Sequence, residues 1–146
     1  VYTEDGEEYK RNMERLSRKW ETAKSYVPKP QFYQNENASE TGMLFFGTSQ
    51  YSCEEAIDSL KQKGLKMDAM RLRSFPFTKE VEEFIASHKQ VFVVEQNRDA
   101  QLKSLLMIEL GINPDKLISI LNFNGLPITA KQIAESVENA MNAVVS

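Results

Sequence analysis

A run of five polar residues at positions 95–99 follows an unbroken apolar run at positions 91–94. Such an apolar run is typical of a strand buried on both faces, and ligands and partners of open α/β sheets usually bind at the carboxyl end of such strands. A carboxylate at the depth of Glu95 needs hydrogen-bond donors or a cation, and we expect Arg98 or an arginine of the neighbouring strand to supply them. No second carboxylate, metal-ligand set or nucleophile is predicted to converge on Glu95. The pattern therefore predicts a structural or interdomain polar network rather than a catalytic site.

The turn at positions 46–52 is a second candidate site. It joins a predicted strand to a helix N-terminus, where free amides and the hydroxyls of Thr48 and Ser49 could hold a phosphate. It lacks the G-x-G-x-x-G spacing of dinucleotide folds, and the next predicted strand ends at Arg71 and Arg73, where a ribose-binding strand has Asp or Glu. The two arginines can hold a carboxylate, although such residues more often meet a neighbouring Glu or solvent. Ordinary turn and cap chemistry explains the segment best.

The chain has one cysteine, Cys53, and one histidine, His88. An internal disulfide is therefore excluded, and these two residues are too few to ligate zinc or an iron-sulfur cluster. Cys53 lies near a predicted helix N-terminus, which can lower a thiol pKa, but no motif positions a histidine as its base. We therefore expect Cys53 to have a packing role. His88 ends a predicted helix, and we expect its role to be structural.

Composition limits the classes of protein to which the chain can belong. With 146 residues, 41% of them hydrophobic, the chain suits one compact domain plus an arm. The 18 basic and 21 acidic residues give a formal charge of -3, without a basic stripe, so nucleic acid is not an expected partner. No apolar stretch approaches the ~20 residues that span a bilayer, and the first residues do not resemble a signal peptide. We expect a cytoplasmic protein with no membrane partner, and the missing initiator Met suggests a piece of a longer chain.

The first 30 residues are predicted to form an arm, an interdomain connector that precedes a domain at positions 31–146. A helix over positions 4–26 carries a narrow apolar stripe among charged residues, and such a helix must lie against something. Pro28 and Pro30 end it, because proline lacks an amide donor and disfavours helix in the residue before it. The stripe consists of Tyr9, Met13, Leu16 and Trp20.

Strands and helices alternate regularly after position 42. This pattern predicts an α/β fold, a three-layer α/β/α domain with a mostly parallel sheet of four to five strands. Ser52 with Glu55, and Thr129 with Gln132, have the spacing of capping boxes, and Gly64 has the position of a C-cap. Strands are predicted at 43–46, 66–72, 91–94 and 117–121; helices at 52–63, 78–87, 98–110 and after 129; a short edge strand at 31–34; and a polar loop at 35–41.

Right-handed crossovers must reverse direction once to cover both faces of a sheet. We therefore expect the strand at 43–46 and the strand at 91–94 to be adjacent at the centre of the sheet. The strands at 66–72 and 117–121 are expected to flank them.

Three motifs occur in order in this sequence: R-x-F-P-F at 73–77, V-V-E-Q-N-R-D-A-Q at 93–101 and G-L-P-I-T-A at 125–130. Together with GTSQYSCEEAIDSLKQKGLKMDAM at 47–70, they resemble the C-terminal domain of the α subunit of 2-oxoacid:ferredoxin oxidoreductases, the 2-oxoglutarate type most closely. The arm is similar in style to the helix that leads into this domain in that family. The resemblance therefore covers nearly the whole chain.

The resemblance implies that the whole enzyme decarboxylates a 2-oxoacid oxidatively to an acyl-CoA, with thiamine diphosphate, Mg²⁺ and iron-sulfur clusters, and passes electrons to ferredoxin. It implies a transketolase C-terminal-domain-like fold with one antiparallel edge strand. This chain would hold no cofactor and would be inactive by itself. Its expected role is assembly with the other domains and the β subunit. The 2-oxoacid, the electron acceptor and the oligomeric state do not follow from the sequence.

A flavodoxin-like flavin- or nucleotide-binding redox module is the alternative. Flavin binding would need aromatic residues in two loops around the ring system. Only Tyr51 is suitably placed after the first regular strand, so we favour the assembly domain.

Parallel strands deliver their following loops to one edge of a sheet, so the candidate residues should meet there. We expect this edge to be an interface, because exposed aromatic residues beside a fixed polar network are typical of surfaces that bind a partner. The residues expected at this edge are Glu95, Asn97, Arg98, Thr48, Ser49, Phe75, Pro76 and Phe77.

The alternative is that Phe75 and Phe77 fold back against Phe84 and that backbone amides cap Glu95. Under the interface hypothesis, Glu95→Gln costs at most ~1 kcal/mol in the isolated domain. Under the alternative, the same change costs several kcal/mol.

Overall fold

A computed structural model describes residues 4–33 and 39–145, with the side chains of 144 and 145 left aside. Within these residues the chain forms five strands and five α-helices. The strands are β1 (Gln31–Tyr33), β2 (Thr41–Phe46), β3 (Asp68–Leu72), β4 (Gln90–Glu95) and β5 (Leu117–Leu121). The helices are α1 (Gly6–Ala23), α2 (Gln50–Gln62), α3 (Lys79–Ser87), α4 (Gln101–Leu110) and α5 (Ala130–Val145), with short 3-10 turns at Gly47–Ser49 and Pro114–Lys116.

The strand order is β1-β3-β2-β4-β5, so the predicted central pair, β2 and β4, is confirmed. β2, β3, β4 and β5 are mutually parallel, and β1 pairs antiparallel with β3 at one edge. Leu44 of β2 lies opposite Met70 of β3 and Val93 of β4. The carboxyl ends of the parallel strands therefore meet along one edge, which we call the carboxyl edge; the opposite end is the amino edge.

The sheet is covered by helices on both faces. Side chains of α2 and α5 pack on one face with Phe45, Phe92 and Val94. Side chains of α3 and α4 pack on the other with Leu44 and Val93. Buried apolar residues on both faces explain why β2 and β4 are unbroken apolar runs. The predicted three-layer α/β/α fold is confirmed.

Local signals explain several helix ends. Thr129 and Gln132 form the predicted capping box, because the Gln132 amide donates to Thr129 Oγ1 at 3.2 Å and the Thr129 amide donates to Gln132 Oε1 at 2.9 Å. Gly64 follows α2 with a φ of +82°, the left-handed conformation that glycine adopts without steric cost. Gly64 therefore has the C-cap position predicted for it.

Several boundaries differ from the prediction. The expected capping box at Ser52 and Glu55 is wrong, because α2 begins at Gln50 and the Ser52 hydroxyl donates instead to the Ile128 carbonyl at 2.8 Å. α1 ends at Ala23, and β3 begins at Asp68 rather than Lys66. The predicted edge strand is present as β1, whereas position 34 and most of the predicted loop lie outside the described residues.

The arm joins the domain at the carboxyl edge. The Ser74 hydroxyl donates to the Pro28 carbonyl at 2.7 Å, and the Lys29 ammonium lies 2.7 Å from the Glu80 carboxylate. The hydrogen bond from Lys29 is the main cause that lowers the pKa of Glu80 to about 2. None of the helices in the part of the chain that the structure describes is both long and apolar enough to cross a bilayer.

Candidate interface at the carboxyl edge of the sheet

Glu95, the last residue of β4, is fully buried and caps a helix. Its carboxylate accepts hydrogen bonds from the backbone amides of Leu102 (2.5 Å) and Lys103 (3.1 Å) and from Asn97 Nδ2 (3.0 Å). The positive end of the α4 dipole and these donors stabilise the charge. The expectation that an arginine supplies the donors is wrong, since backbone amides do so.

Arg98 lies outside this network. Its guanidinium is exposed and pairs with Asp99 at 2.7 Å, an arrangement that contributes little in water. Asn97 remains inside it, because its Oδ1 accepts from the amides of Asp99 (3.1 Å) and Gln101 (3.3 Å). α4 begins at Gln101 rather than Arg98, and Ala100 before it has a φ of +48°. Asn97 and Glu95 thus divide the capping of α4 between them.

Gln96 connects three segments of the carboxyl edge, and the sequence analysis did not identify it as a site residue. Its Nε2 donates to the Thr48 hydroxyl at 3.0 Å and to the Ser49 hydroxyl at 3.2 Å. Its Oε1 accepts from the Ile128 amide at 3.2 Å. A long amide directly after a central strand is the signal that could have indicated this role. The two hydroxyls considered for phosphate binding therefore hold the edge together.

Phe75 and Phe77 have different environments. Phe77 is 5% exposed and packs in the same core as Phe84, whereas Phe75 is 40% exposed. The Phe75 ring lies edge-on to Phe77 at 5.1 Å and to Trp20 of α1 at 5.2 Å between centroids. Phe77 is therefore packed as the alternative expects, and the partly exposed Phe75 joins the arm to the carboxyl edge. That Phe75 belongs to an interface stays a prediction.

A cavity of about 510 Å³ opens between the ends of β2, β3 and β4 and the start of α4. Its walls are mostly apolar, and polar side chains converge at one side. This volume falls within the range of small-molecule pockets, and it also suits inserted side chains of a protein partner. Its lining includes Phe46, Leu72, Arg73, Phe75, Phe77, Glu95, Asn97 and Leu105.

Large apolar side chains are exposed in the loops at this edge. Besides Phe75, they are Phe46, Tyr51, Phe123 and Leu126. Phe46 and Phe75 line the cavity, whereas Tyr51, Phe123 and Leu126 lie elsewhere along the same edge. Several exposed apolar residues along one edge are more than the scattered exposure that is ordinary. This carboxyl-edge patch, defined as these five residues and the cavity, is the candidate interface.

Arg71 of β3 and Arg73, just after β3, differ in exposure. Arg73 is exposed and lines the cavity, whereas Arg71 is half-buried, and its Nε has no hydrogen-bond partner among the described residues. Arg71 lies near Tyr33, whose pKa is raised to about 12, mainly by burial and by its hydrogen bond to Glu54. Neither arginine contacts Glu95 within hydrogen-bonding distance.

Cys53 and His88 do not fit a cofactor site. Cys53 is buried, and its burial, with the nearby Glu54 carboxylate, raises the pKa of the thiol to about 12. His88 is buried between the Phe84 carbonyl (2.6 Å from Nδ1) and Asp68 (3.3 Å from Nε2). No cluster of three His, Cys, Asp or Glu side chains able to hold a metal ion occurs within residues 4–33 and 39–145. An iron-sulfur cluster or a diphosphate-bound Mg²⁺ does not fit these residues.

Comparison with solved structures identifies similar domains. The 2-oxoglutarate:ferredoxin oxidoreductase from Magnetococcus marinus, solved with 2-oxoglutarate, coenzyme A and succinyl-CoA bound, matches 95% of this chain with a TM-score of 0.83 and 23% identity. This chain covers 24% of that protein's chain. The α chain of a probable 2-oxoacid ferredoxin oxidoreductase from Thermoplasma acidophilum matches 78% of this chain, and 97% of its own, with a TM-score of 0.53 and 26% identity.

A split-gene transketolase, described as an inactive β4 tetramer, shares the fold with a TM-score of 0.59 and 16% identity. The match covers 77% of this chain and 41% of that chain. No match was found among curated proteins.

The family model described as pyruvate:ferredoxin oxidoreductase core domain II matches residues 39–133, more than half of the 146 residues. The matched segment contains β2 to β5, Glu95 and the cavity. The resemblance drawn from the three sequence motifs is confirmed. The chain therefore belongs to the pyruvate:ferredoxin oxidoreductase core domain II family.

Proposed function

We propose that this chain is a non-catalytic assembly domain of a thiamine-diphosphate-dependent 2-oxoacid:ferredoxin oxidoreductase, located at the C-terminal end of its α subunit. The whole enzyme converts a 2-oxoacid, specifically 2-oxoglutarate, to its acyl-CoA and passes electrons to ferredoxin. Family membership supports the oxidoreductase, and the oxoglutarate enzyme among the similar structures supports the substrate. Thiamine diphosphate, Mg²⁺, iron-sulfur clusters and CoA are assigned to the rest of the enzyme.

The state of the chemically capable side chains supports the non-catalytic role. Glu95 is buried and its carboxylate accepts three hydrogen bonds, so both of its oxygens are already used at the start of α4. A thiol with a pKa of about 12 is protonated at neutral pH, so Cys53 is a poor nucleophile. His88 is enclosed at the amino edge, far along the strands from the cavity. Glu95, Cys53 and His88 therefore have structural roles in this domain.

The observation that carries the assembly role is the carboxyl-edge patch. Two exposed aromatic residues, Phe46 and Phe75, line the cavity, and hydrogen bonds of Glu95 and Gln96 fix the segments at this edge, so the patch is both apolar and held in place. Rigid aromatic anchors lose little entropy on binding and dominate many interfaces. Other domains of the α subunit and the β subunit are the proposed partners. In this proposal residues 1–30 are the interdomain arm and 31–146 the assembly domain.

Substitutions on the patch in the complete oxidoreductase test this role. Phe75→Ala should weaken the association of this domain with the rest of the enzyme about tenfold or more, because an interfacial aromatic anchor is lost. Ile108→Ala is the control, since Ile108 is an apolar residue that is even more exposed (78%, against 40% for Phe75) and lies in the last turn of α4, at the opposite end from the patch. Native mass spectrometry against dilution measures the association. Equal effects of the two changes would contradict the proposal.

Activity assays test the remaining elements. The isolated chain, given 2-oxoglutarate, CoA, thiamine diphosphate and a viologen dye, should give no turnover above a protein-free control. The complete enzyme should reduce the dye, with a higher kcat/KM for 2-oxoglutarate than for pyruvate. Turnover by the isolated chain would show that the domain is catalytic, and a preference for pyruvate would exclude the substrate assignment.

A further inference from the structure

The apolar stripe of α1 is not covered by the domain. α1 has no buried residue, and the four stripe side chains are between 42% and 60% exposed. Only Trp20, near the C-terminal end of the helix, contacts an aromatic ring of the domain, that of Phe75. A stripe of this size on one helix face is more than scattered exposure. The stripe is defined by Tyr9, Met13, Leu16 and Trp20.

The spacing of the stripe indicates what kind of surface fits it. The four residues are separated by four, three and four positions, which matches the alternating spacing of the a and d positions in the heptad (3.5-residue) repeat of a helix that packs along another helix. A helix lying on a sheet or a globular core usually has a wider apolar face with the 3.6-residue period. A narrow 4-3-4 seam therefore favours a second helix as the covering element.

The charged residues beside the stripe indicate the sign of the charges that a partner helix should carry. Successive helix residues are about 100° apart around the axis, so Lys10 and Lys19, next to Tyr9 and Trp20, border the stripe on opposite sides. Both lysines are exposed, and neither forms an ion pair within residues 4–33 and 39–145. Positions that border a helix seam form salt bridges with the partner helix. Two free lysines there favour Asp or Glu opposite them.

A second copy of this chain does not supply those acidic groups. In a parallel pair of α1 helices, Lys19 would face Lys24 of the second copy. In an antiparallel pair, Lys10 and Lys19 would face Ser17 and Asn12 of the second copy. Neither arrangement gives an opposite charge, so a different sequence fits the seam better.

We propose that α1 binds an amphipathic helix of another part of the oxidoreductase, with an apolar stripe at 3.5-residue spacing and Asp or Glu at its borders. The proposal rests on the proposed function only for the location of that helix. An isolated helix of 18 residues is marginally stable in water, so the partner also stabilises α1. Because Trp20 contacts Phe75, the seam is continuous with the carboxyl-edge patch.

Two matched charge reversals in the complete oxidoreductase test the proposal. Lys10→Glu with Lys19→Glu reverses the borders of the seam. Arg15→Glu with Arg18→Glu makes the same charge change on the outer side of α1. The first pair should weaken association about tenfold or more, and the second less than about twofold, since opposite charges across an interface are lost only in the first. Equal effects of the two pairs, or no effect of the first, would overturn the proposal.

Two further measurements cover variants that fold poorly. Hydrogen exchange of wild-type α1 should slow at least about tenfold in the complete enzyme relative to the isolated chain, and unchanged exchange would refute the seam. Sedimentation of the isolated chain should show a monomer; a dimer that the Lys10 and Lys19 reversal dissociates would identify a second copy and overturn the proposal. If Phe75→Ala weakens assembly while the reversal does not, this inference fails and the proposed function stands. If neither change weakens assembly, the interface role in the proposed function fails as well.

Discussion

Each edge of the sheet buries one carboxylate, but the hydrogen-bond partners of the two carboxylates differ. At the carboxyl edge, Glu95 is satisfied by the backbone amides of Leu102 and Lys103 and by Asn97. At the amino edge, Asp68 accepts from the Ser39 amide at 3.1 Å and lies 3.3 Å from His88. Glu95 is therefore held mainly by the start of a helix, whereas Asp68 contacts a loop amide and an imidazole.

The packing around the two carboxylates also differs between the two edges. The amino edge is packed more tightly, because the Phe84 ring lies over Gly42, with centroids 4.3 Å from His88 and 6.3 Å from Phe32. A smaller pocket of about 350 Å³, whose lining includes Asp68, Phe84 and His88, lies at this edge. The carboxyl edge is open to the 510 Å³ cavity. Glu95 is fully buried while held by fixed backbone amides, and Asp68 is 6% exposed. The two edges therefore differ in the donors that hold the carboxylate and in the size of the pocket beside it, and the larger pocket is the one at which we propose that a partner binds.

Removing the Glu95 carboxylate should have the largest effect on stability. Glu95→Ala leaves two helix amides without their acceptor and opens a space, so the free energy of unfolding should fall by about 3 kcal/mol. Glu95→Gln keeps one acceptor oxygen and should cost about 1–2 kcal/mol, more than the sequence alone led us to expect. Urea denaturation measures both. Asp99→Asn, an exposed control, should change the value by less than about 0.5 kcal/mol; a comparable loss there would show that capping by Glu95 is not special.

Adding a methyl group at the tightly packed amino edge should have the next largest effect on stability. A Cβ on Gly42 would lie 2.9 Å from Phe84 Cε1 and 3.2 Å from His88 Cγ, and the Phe84 ring is itself packed between other rings. Gly42→Ala should therefore lower the free energy of unfolding by about 2 kcal/mol in urea denaturation. Gly6→Ala is the control, because nothing lies within 4 Å of its Cβ. If Gly42→Ala left the free energy of unfolding unchanged, the amino edge would be packed no more tightly than the carboxyl edge.

The smallest effect should be a gain in stability from a substitution at the carboxyl edge. Ala100 has a φ of +48°, a conformation that costs an L-residue about 1 kcal/mol and glycine almost nothing. Ala100→Gly should raise the melting temperature slightly, corresponding to about 0.5 kcal/mol after the entropy that glycine loses on folding. Scanning calorimetry of the two proteins checks the sign. A lower melting temperature would indicate that the loop before α4 carries no strain.

The arrangement of the sheet could be predicted from the sequence because it depends on apolar runs. Val91 to Val94 reads as a doubly buried strand, and alternation with helices then limits the strand order. Burial of Glu95 could be anticipated for the same reason. Its donors could not, because they depend on where α4 begins. The start of α4 is set by the left-handed backbone conformation of Ala100. An alanine in the sequence does not predict that conformation.

Contacts between distant segments escaped the sequence analysis. Ser52 has the spacing of an N-cap, yet its hydroxyl bonds the carbonyl of Ile128, 76 positions away. Gln96 bridges loops that only the folded sheet brings together. Phe75 and Phe77 are identical in type and two positions apart, so no local signal separates the exposed ring from the buried one. Local patterns determine elements, whereas these roles depend on tertiary structure.

The contact between Trp20 and Phe75 has a consequence for affinity. α1 is 18 residues long and so reaches about 27 Å from the edge where it is attached. A partner that touches both the seam and the carboxyl-edge patch is held at two sites whose separation is already fixed. Engagement of the first site then gives the second a high effective concentration, and avidity exceeds either affinity alone. Each contact can then remain individually weak while the whole assembly is stable.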